Sequence, residues 1–237
     1  ATQIGALSAG QVGALSGAAL SALDATQVGS LTTTQVGGLS ATQLKNLSTT
    51  DFGELTTTQL GALSATQLGA LSTTNFGNLN STAVAALTTT QIGALSETHV
   101  EALATSALAA LSTTPLRALS TDGLKALTTT QTAALTTTQV AGLTTTQISA
   151  LDSAALTATQ FKALTATQIK ALGTDQFKVL SSAQVGAFAS DQLKAIETED
   201  VKQISTAAIR GIASENIGAL GTDQVQALST TQIQSLT

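Results

Sequence analysis

The side chains that could do chemistry are hydroxyls, scattered carboxylates and one imidazole. A serine or threonine becomes a nucleophile only with a base beside it, and His99 is the single histidine in 237 residues. Glu97 and Glu101 lie near His99, but the chain has no second histidine and no cysteine to share a metal ion. No glycine-rich phosphate loop occurs either. The sequence predicts no catalytic, cofactor-binding or metal site, and a protein that is not an enzyme.

The dominant feature is an eight-residue repeat: Gln, a branched apolar residue, Gly or Lys, Ala, Leu, Ser or Thr, and two residues that are mostly Thr. We number these positions one to eight from the Gln. The octads run from Gln3 to Gln147 and, after a slip of three residues, from Gln160 to Gln232. Such a fixed period indicates a solenoid, in which each unit is stabilised by stacking on its neighbours.

The large apolar residues at positions two and five, such as Ile92 and Leu95, predict helix. They would point to opposite faces of a strand, but they share one face of a helix. A continuous helix is excluded because its apolar stripe would drift by roughly 80° per octad. We therefore expect an all-α solenoid of short capped helices, one per eight-residue repeat.

The break between helices has a sequence signature. Ser or Thr at position six, followed three residues later by Gln, forms a capping box, as in Ser64 with Gln67. Leu at position five should lie inside, and Thr, Gln and Gly should lie outside. His99 and Pro115 replace Gln in two octads. We expect His99 to be exposed near its cap, and Pro115 to lack the N–H that a cap needs.

The charges fit this helical frame. All nine Lys and Arg residues stand at position three, and twelve of the fourteen acids stand at positions six, seven, eight or one. Acid at the start and base near the end of each helix is the order that the helix dipole favours. A net charge of −5 argues against nucleic-acid binding, and no apolar run approaches the ~20 residues of a membrane span.

Two irregularities interrupt the pattern. After Leu151 one octad is five residues long, and we read Leu156 as its position two. This slip predicts a first array over residues 1–156 and a second over 157–237 that continues the solenoid, either as a tolerated slip or as a kink. Thr132 occupies an apolar position and indicates local drift from the pattern.

The strings ALTTTQIGALS, ALSATQLGALS and LSTTQIQSL resemble octad-repeat regions of large exported bacterial proteins of the adhesin-like kind. The resemblance implies an extracellular or cell-surface setting. Homotypic head-to-tail contacts, or flanking repeats of the same protein, would then cover the apolar ends of the array.

Three functions are compatible with these features. The first is a structural spacer, stalk or filament-forming segment. The second is a ligand-binding solenoid whose Thr and Ser array meets ice or a carbohydrate surface, although short stacked helices would not give a flat lattice. The third is a protein-binding scaffold, as other solenoids are.

Overall fold

The computed structural model describes residues 2–236. In that range the chain forms 29 α-helices of four to six residues and one 3-10 helix, with no β-strand. This confirms the predicted all-α solenoid of short helices. The chain divides into two compact units, Ala1–Ala126 and Leu127–Thr237. The predicted arrays 1–156 and 157–237 stay a prediction, and the slip lies inside the second unit.

The first unit contains sixteen helices, spaced one octad apart. They are α1 Thr2–Gly5, α2 Ala9–Gly13, α3 Gly17–Ser21, α4 Ala25–Gly29, α5 Thr33–Gly37, α6 Ala41–Asn46, α7 Thr49–Gly53, α8 Thr57–Gly61, α9 Ala65–Gly69, α10 Thr73–Gly77, α11 Ser81–Ala85, α12 Thr89–Gly93, α13 Glu97–Ala102, α14 Thr105–Ala110, α15 Thr113–Arg117 and α16 Thr121–Lys125.

The second unit contains the other thirteen α-helices and the 3-10 helix η1. They are α17 Thr129–Ala134, α18 Thr137–Gly142, α19 Thr145–Ala150, η1 Ser153–Ala155, α20 Ala158–Ala163, α21 Ala166–Lys170, α22 Thr174–Lys178, α23 Ser182–Gly186, α24 Ser190–Ala195, α25 Thr198–Val201, α26 Thr206–Ile209, α27 Ser214–Ile217, α28 Thr222–Ala227 and α29 Thr230–Ser235.

The capping box predicted from position six is present. In α12 the Gln91 backbone N–H donates to Thr88 Oγ1 at 3.3 Å, and the Thr88 N–H donates to Gln91 Oε1 at 2.8 Å. Thr88 itself has extended backbone angles, as an N-cap residue should. Ser112 makes no side-chain cap bond to Pro115, as expected for a residue without an N–H.

Within each unit a helix packs against the helix three octads further along, as α10 packs on α13 and α20 on α23. Position-two and position-five side chains fill the interior: Ile92 is 0% and Leu95 6% exposed. Burying each such side chain contributes about 1.5–3 kcal/mol. Lys170, at position three, keeps 66% of its side chain exposed. The predicted apolar register is therefore confirmed.

Small residues at positions three and four let successive turns approach closely. A Cβ built on Gly77 would lie 2.9 Å from the Ala102 carbonyl oxygen, and one on Gly186 would lie 2.7 Å from that of Gly211. A Cβ built on Gly211 would overlap the carbonyl oxygen of Ser182. Backbone contacts backbone at these points, so a side chain larger than hydrogen must push the turns apart.

The slip removes the first turn of one helix. Gln184 lies 31 residues after Ser153 and 28 after Leu156, and its amide donates to both carbonyls. Elsewhere those two carbonyls belong to positions two and five. Leu156 is therefore a position-five residue, and our assignment of it to position two was wrong. Positions seven, eight and one are the ones deleted, which leaves only the 3-10 turn η1.

Thr132 does not mark a drift of the octad. Its N–H donates to the Thr128 carbonyl at 2.9 Å, and its own carbonyl accepts from Leu135 N–H at 3.3 Å, as at other position-two residues. The side chain is 0% exposed, and its Oγ1 has no hydrogen-bond partner. Because the methyl and hydroxyl together fill the volume of a valine, the helix keeps its register around a buried polar atom.

The close approach of turns predicts opposite effects for two glycine substitutions in the second unit. Gly211→Ala should reduce the free energy of unfolding by about 1–3 kcal/mol, because the new methyl group collides with the Ser182 backbone. Gly218→Ala should raise it by roughly 0.4–1 kcal/mol, since Gly218 has helical angles and nothing within 4 Å of a Cβ. Urea unfolding of both variants measures the two changes; equal effects would contradict this packing.

Candidate functional site: the inter-turn glutamine bracket

The position-one glutamine joins two turns of the coil. Gln91 Oε1 accepts from the Thr88 N–H of its own helix, while Nε2 donates to the Leu60 carbonyl at 3.0 Å and the Leu63 carbonyl at 2.7 Å. Those carbonyls belong to positions two and five, four octads earlier. One side-chain amide thus caps the start of one helix and the end of another. We call this arrangement the glutamine bracket.

The bracket recurs in both units. Nε2 donates to a carbonyl 28 residues earlier and to another 30 or 31 residues earlier at Gln35, Gln43, Gln59, Gln67, Gln91, Gln184, Gln192, Gln224 and Gln232. At Gln160 and Gln168 the spacings become 28 and 25 residues. Both spacings are three residues shorter, which is the length of the slip. The amide therefore donates to the carbonyls of positions two and five on either side of the slip.

The reason for the bracket lies in the length of the helices. The first four N–H and last four C=O groups of any helix lack an internal partner, and a five-residue helix consists almost wholly of such groups. A buried carbonyl without a partner costs about 1–3 kcal/mol. Gln91 is only 3% exposed, as is Gln59, so no water competes for these bonds. Our expectation that Gln lies outside was therefore wrong.

A signal for the bracket was present in the sequence. A capping box works with either Glu or Gln three residues after the cap, because it needs only an acceptor oxygen. Yet no octad has Glu at position one. Only the amide supplies an N–H₂ group as well, so the exclusion of Glu pointed to a second partner that accepts hydrogen bonds.

Other residues at position one retain part of the bracket. Asn75 Nδ2 donates to the Leu47 carbonyl, 28 residues earlier, at 2.8 Å, whereas Asp51 keeps only the cap, accepting from Ser48 N–H at 3.2 Å. Ala, Gly or Pro at this position offers no polar side-chain atom. The residues of that kind are Ala19, Ala83, Ala107, Pro115, Gly123 and Ala208.

His99 substitutes for Gln in this bracket. Its ring is 4% exposed, Nε2 lies 3.0 Å from the Leu71 carbonyl oxygen, and Nδ1 lies 2.8 Å from Ser96 Oγ. A carbonyl can only accept, so Nε2 carries a proton, and in the neutral ring Nδ1 then accepts from the serine hydroxyl. The ring also packs on Phe76, with centroids 5.1 Å apart. Our expectation of an exposed His99 was wrong, because imidazole spans cap and carbonyl as an amide does.

The charged residues form surface pairs. Lys125 and Asp122 lie 3.4 Å apart, and Lys178 and Asp175 lie 2.7 Å apart; the members of each pair are three residues apart in sequence. The hydrogen bond and charge of Lys178 hold the pKa of the Asp175 carboxyl below its ordinary value. Because both partners are exposed to solvent, such pairs add little to stability.

Within residues 2–236, no group of three or more His, Cys, Asp or Glu residues is placed to hold a metal ion. Over the same residues, no helix has both the length and the apolar character that crossing a bilayer requires. Many serine hydroxyls act as helix caps, as Ser64 does for Gln67 and Ser181 for Gln184.

These features define an α-helical repeat protein whose short helices coil through capped octads. The model of the ALTTAQ repeat matches residues 44–81, 66–97, 100–137 and 193–230, which together span more than half of the chain. The chain therefore belongs to the ALTTAQ repeat family. No curated protein matches it.

Loss of a bracket should destabilise the coil more than loss of a cap. Gln91→Met keeps the side-chain size but leaves the Leu60 and Leu63 carbonyls without their amide partner, and should lower the free energy of unfolding by about 2–4 kcal/mol. Gln11 is exposed and bonds only within its own capping box with Ser8, so Gln11→Met should cost about 1 kcal/mol or less. Urea unfolding compares the two, and an equal loss would mean that the inter-turn bonds contribute nothing.

Proposed function

We propose that the chain is a structural element, namely a spacer, stalk or filament-forming segment of an exported or cell-surface bacterial assembly. The observation that carries this proposal is the glutamine bracket, which ties successive turns together in the same way in both units. The proposed role needs no catalytic group, cofactor or metal ion.

The bracket supports a load-bearing role because of where its bonds lie. At Gln224 the two bonds to the Leu193 and Ile196 carbonyls are 2.8 and 2.7 Å long and buried. A force that separates turns must break such bonds and expose the adjoining position-two and position-five side chains at once. In a repeat array each turn contacts only its neighbours, so resistance extends along the chain turn by turn.

The outer surface is consistent with a passive role. Positions six to eight are mainly Ser, Thr and Ala, and several lysines are matched by nearby acids, including Lys170 with Glu197 at 3.8 Å. An exported setting is supported by the octads that resemble those of exported proteins. The ligand-binding and scaffold hypotheses stay predictions.

Homotypic contacts are part of the proposal. Val225 and Ile233, at position two of α28 and α29, are 45% and 48% exposed, whereas Val201 and Ile209 at the same position are 2% and 0% exposed. Flanking octads or a second copy of the chain would cover these side chains. Flanking octads and a second copy would both offer carbonyl groups and glutamine and leucine side chains to this surface, as neighbouring turns do elsewhere in the coil.

Extension of single molecules by atomic force microscopy tests the structural role. We expect the chain to resist extension turn by turn, and Gln91→Met to lower the unfolding force while Gln11→Met leaves it unchanged. A chain that extends as easily as a disordered polypeptide would contradict a load-bearing function.

Sedimentation over a range of concentrations tests the homotypic contacts separately. We expect self-association of the chain, and a shift towards monomer in the double variant Val225→Thr with Ile233→Thr, because burial of the two apolar side chains is lost. An exposed pair of similar size, Thr222→Ala with Thr230→Ala, provides the matched control. A wild-type chain that stays monomeric at high concentration would contradict the head-to-tail contact.

A further inference from the structure

Asp200 is a buried carboxylate at the octad position that is most often glutamine. Asp200 occupies position one of the octad that forms α25 and is 5% exposed. Gln192 occupies the same position in the preceding octad. In α24 the Ala189 N–H donates to Gln192 Oε1 at 2.7 Å, whereas α25 shows no such bond from the Glu197 N–H and Glu197 makes no side-chain cap bond. No hydrogen bond of the Asp200 carboxylate occurs among the residues that the structure describes.

The register of the bracket indicates which carbonyls lie opposite Asp200. Gln192 donates to carbonyls 31 and 28 residues earlier, and Gln224 does the same. The same offsets assign Ile169 and Leu172 to Asp200. A donor-bearing side chain of this shorter length reaches the carbonyl 28 residues earlier, as Asn75 reaches Leu47 at 2.8 Å, whereas Asp51 only accepts from the N–H of its cap residue. An ionised Asp200 would therefore present an acceptor oxygen to the Leu172 carbonyl, which is also an acceptor.

The charges around Asp200 come from its own octad, from α22 and α28, which pack on α25, and from Lys170 of α21. They are Glu197, Glu199 and Lys202 on the α25 octad, Asp175 and Lys178 on α22, and Asp223 on α28, with Lys170 paired to Glu197. Lys202 is bonded to Glu199 at 2.6 Å and Lys178 to Asp175 at 2.7 Å. Burial raises the pKa of Asp200, and Glu197 and Glu199 raise it further.

We propose that Asp200 is a pH-sensitive clip between two turns of the second unit. In its protonated form the carboxyl group donates to the Leu172 carbonyl and completes the bracket. When the proton leaves, two oxygen acceptors face each other and the turn loosens at α25. The octad thus holds more firmly in a mildly acidic medium than in a neutral one.

The sign of the effect follows from proton binding. Because the pKa of Asp200 is higher in the folded chain than in the unfolded chain, the folded state binds the proton more tightly. The stability from this proton is complete below the unfolded pKa and is lost as pH rises through the folded one. Most carboxylates with a partner act in the opposite direction, as Asp175 does beside Lys178.

The direct test is a carbon-13 NMR titration of the side-chain carboxyls in the full chain. We expect Asp200 to titrate above the ordinary value of about 3.9 and Asp175 to titrate below it. An Asp200 midpoint at or below that ordinary value would overturn the clip.

A second test uses Asp200→Asn, whose amide can donate to Leu172 at any pH. The urea midpoint of the wild type should fall as pH rises from about 4 to about 7, and this fall should diminish in the variant. Glu215→Gln removes an exposed carboxylate of α27 that is not among the charges around Asp200, and it should leave the fall unchanged. An identical fall in the wild type and Asp200→Asn would overturn the proposal, and the wild-type titration decides the matter if the variant does not fold.

Discussion

The structure depends on satisfying the termini of helices that are too short to satisfy themselves. A five-residue helix leaves almost all of its N–H and C=O groups without internal partners. A position-six hydroxyl caps the start, and a glutamine from four octads later caps the end. Each bond contributes only about 0.5–1.5 kcal/mol net, but an unmet buried carbonyl costs more than that.

The other features of the octad follow from this arrangement. Leucine at position five and the apolar residue at position two lie beside the two carbonyls that the amide binds, so the bonds are made away from water. Small residues at positions three and four bring the next turn within reach of the amide, as where Gly77 faces Ala102. The deletion before Gln160 is tolerated because it removes a first turn and keeps both carbonyls that Gln184 needs.

The local part of this fold could be predicted from sequence, and the long-range part could not. Ile92 and Leu95 are three residues apart, as are Ser64 and Gln67, and both relations could be recognised from the sequence. The second partner of Gln91 lies 28 residues away, a distance that depends on how many octads complete a turn. His99 was misplaced for the same reason: its acceptor, the Leu71 carbonyl, belongs to another turn.

The most direct test of the account is a measurement of scalar coupling across the bracket hydrogen bonds. In a chain labelled with nitrogen-15 and carbon-13, the Gln91 side-chain nitrogen should show couplings to the carbonyl carbons of Leu60 and Leu63, and the Gln91 side-chain protons should exchange slowly with water. Exposed Gln11 provides the reference for fast exchange. Absent couplings together with fast exchange at Gln91 would contradict the glutamine bracket as the link between turns.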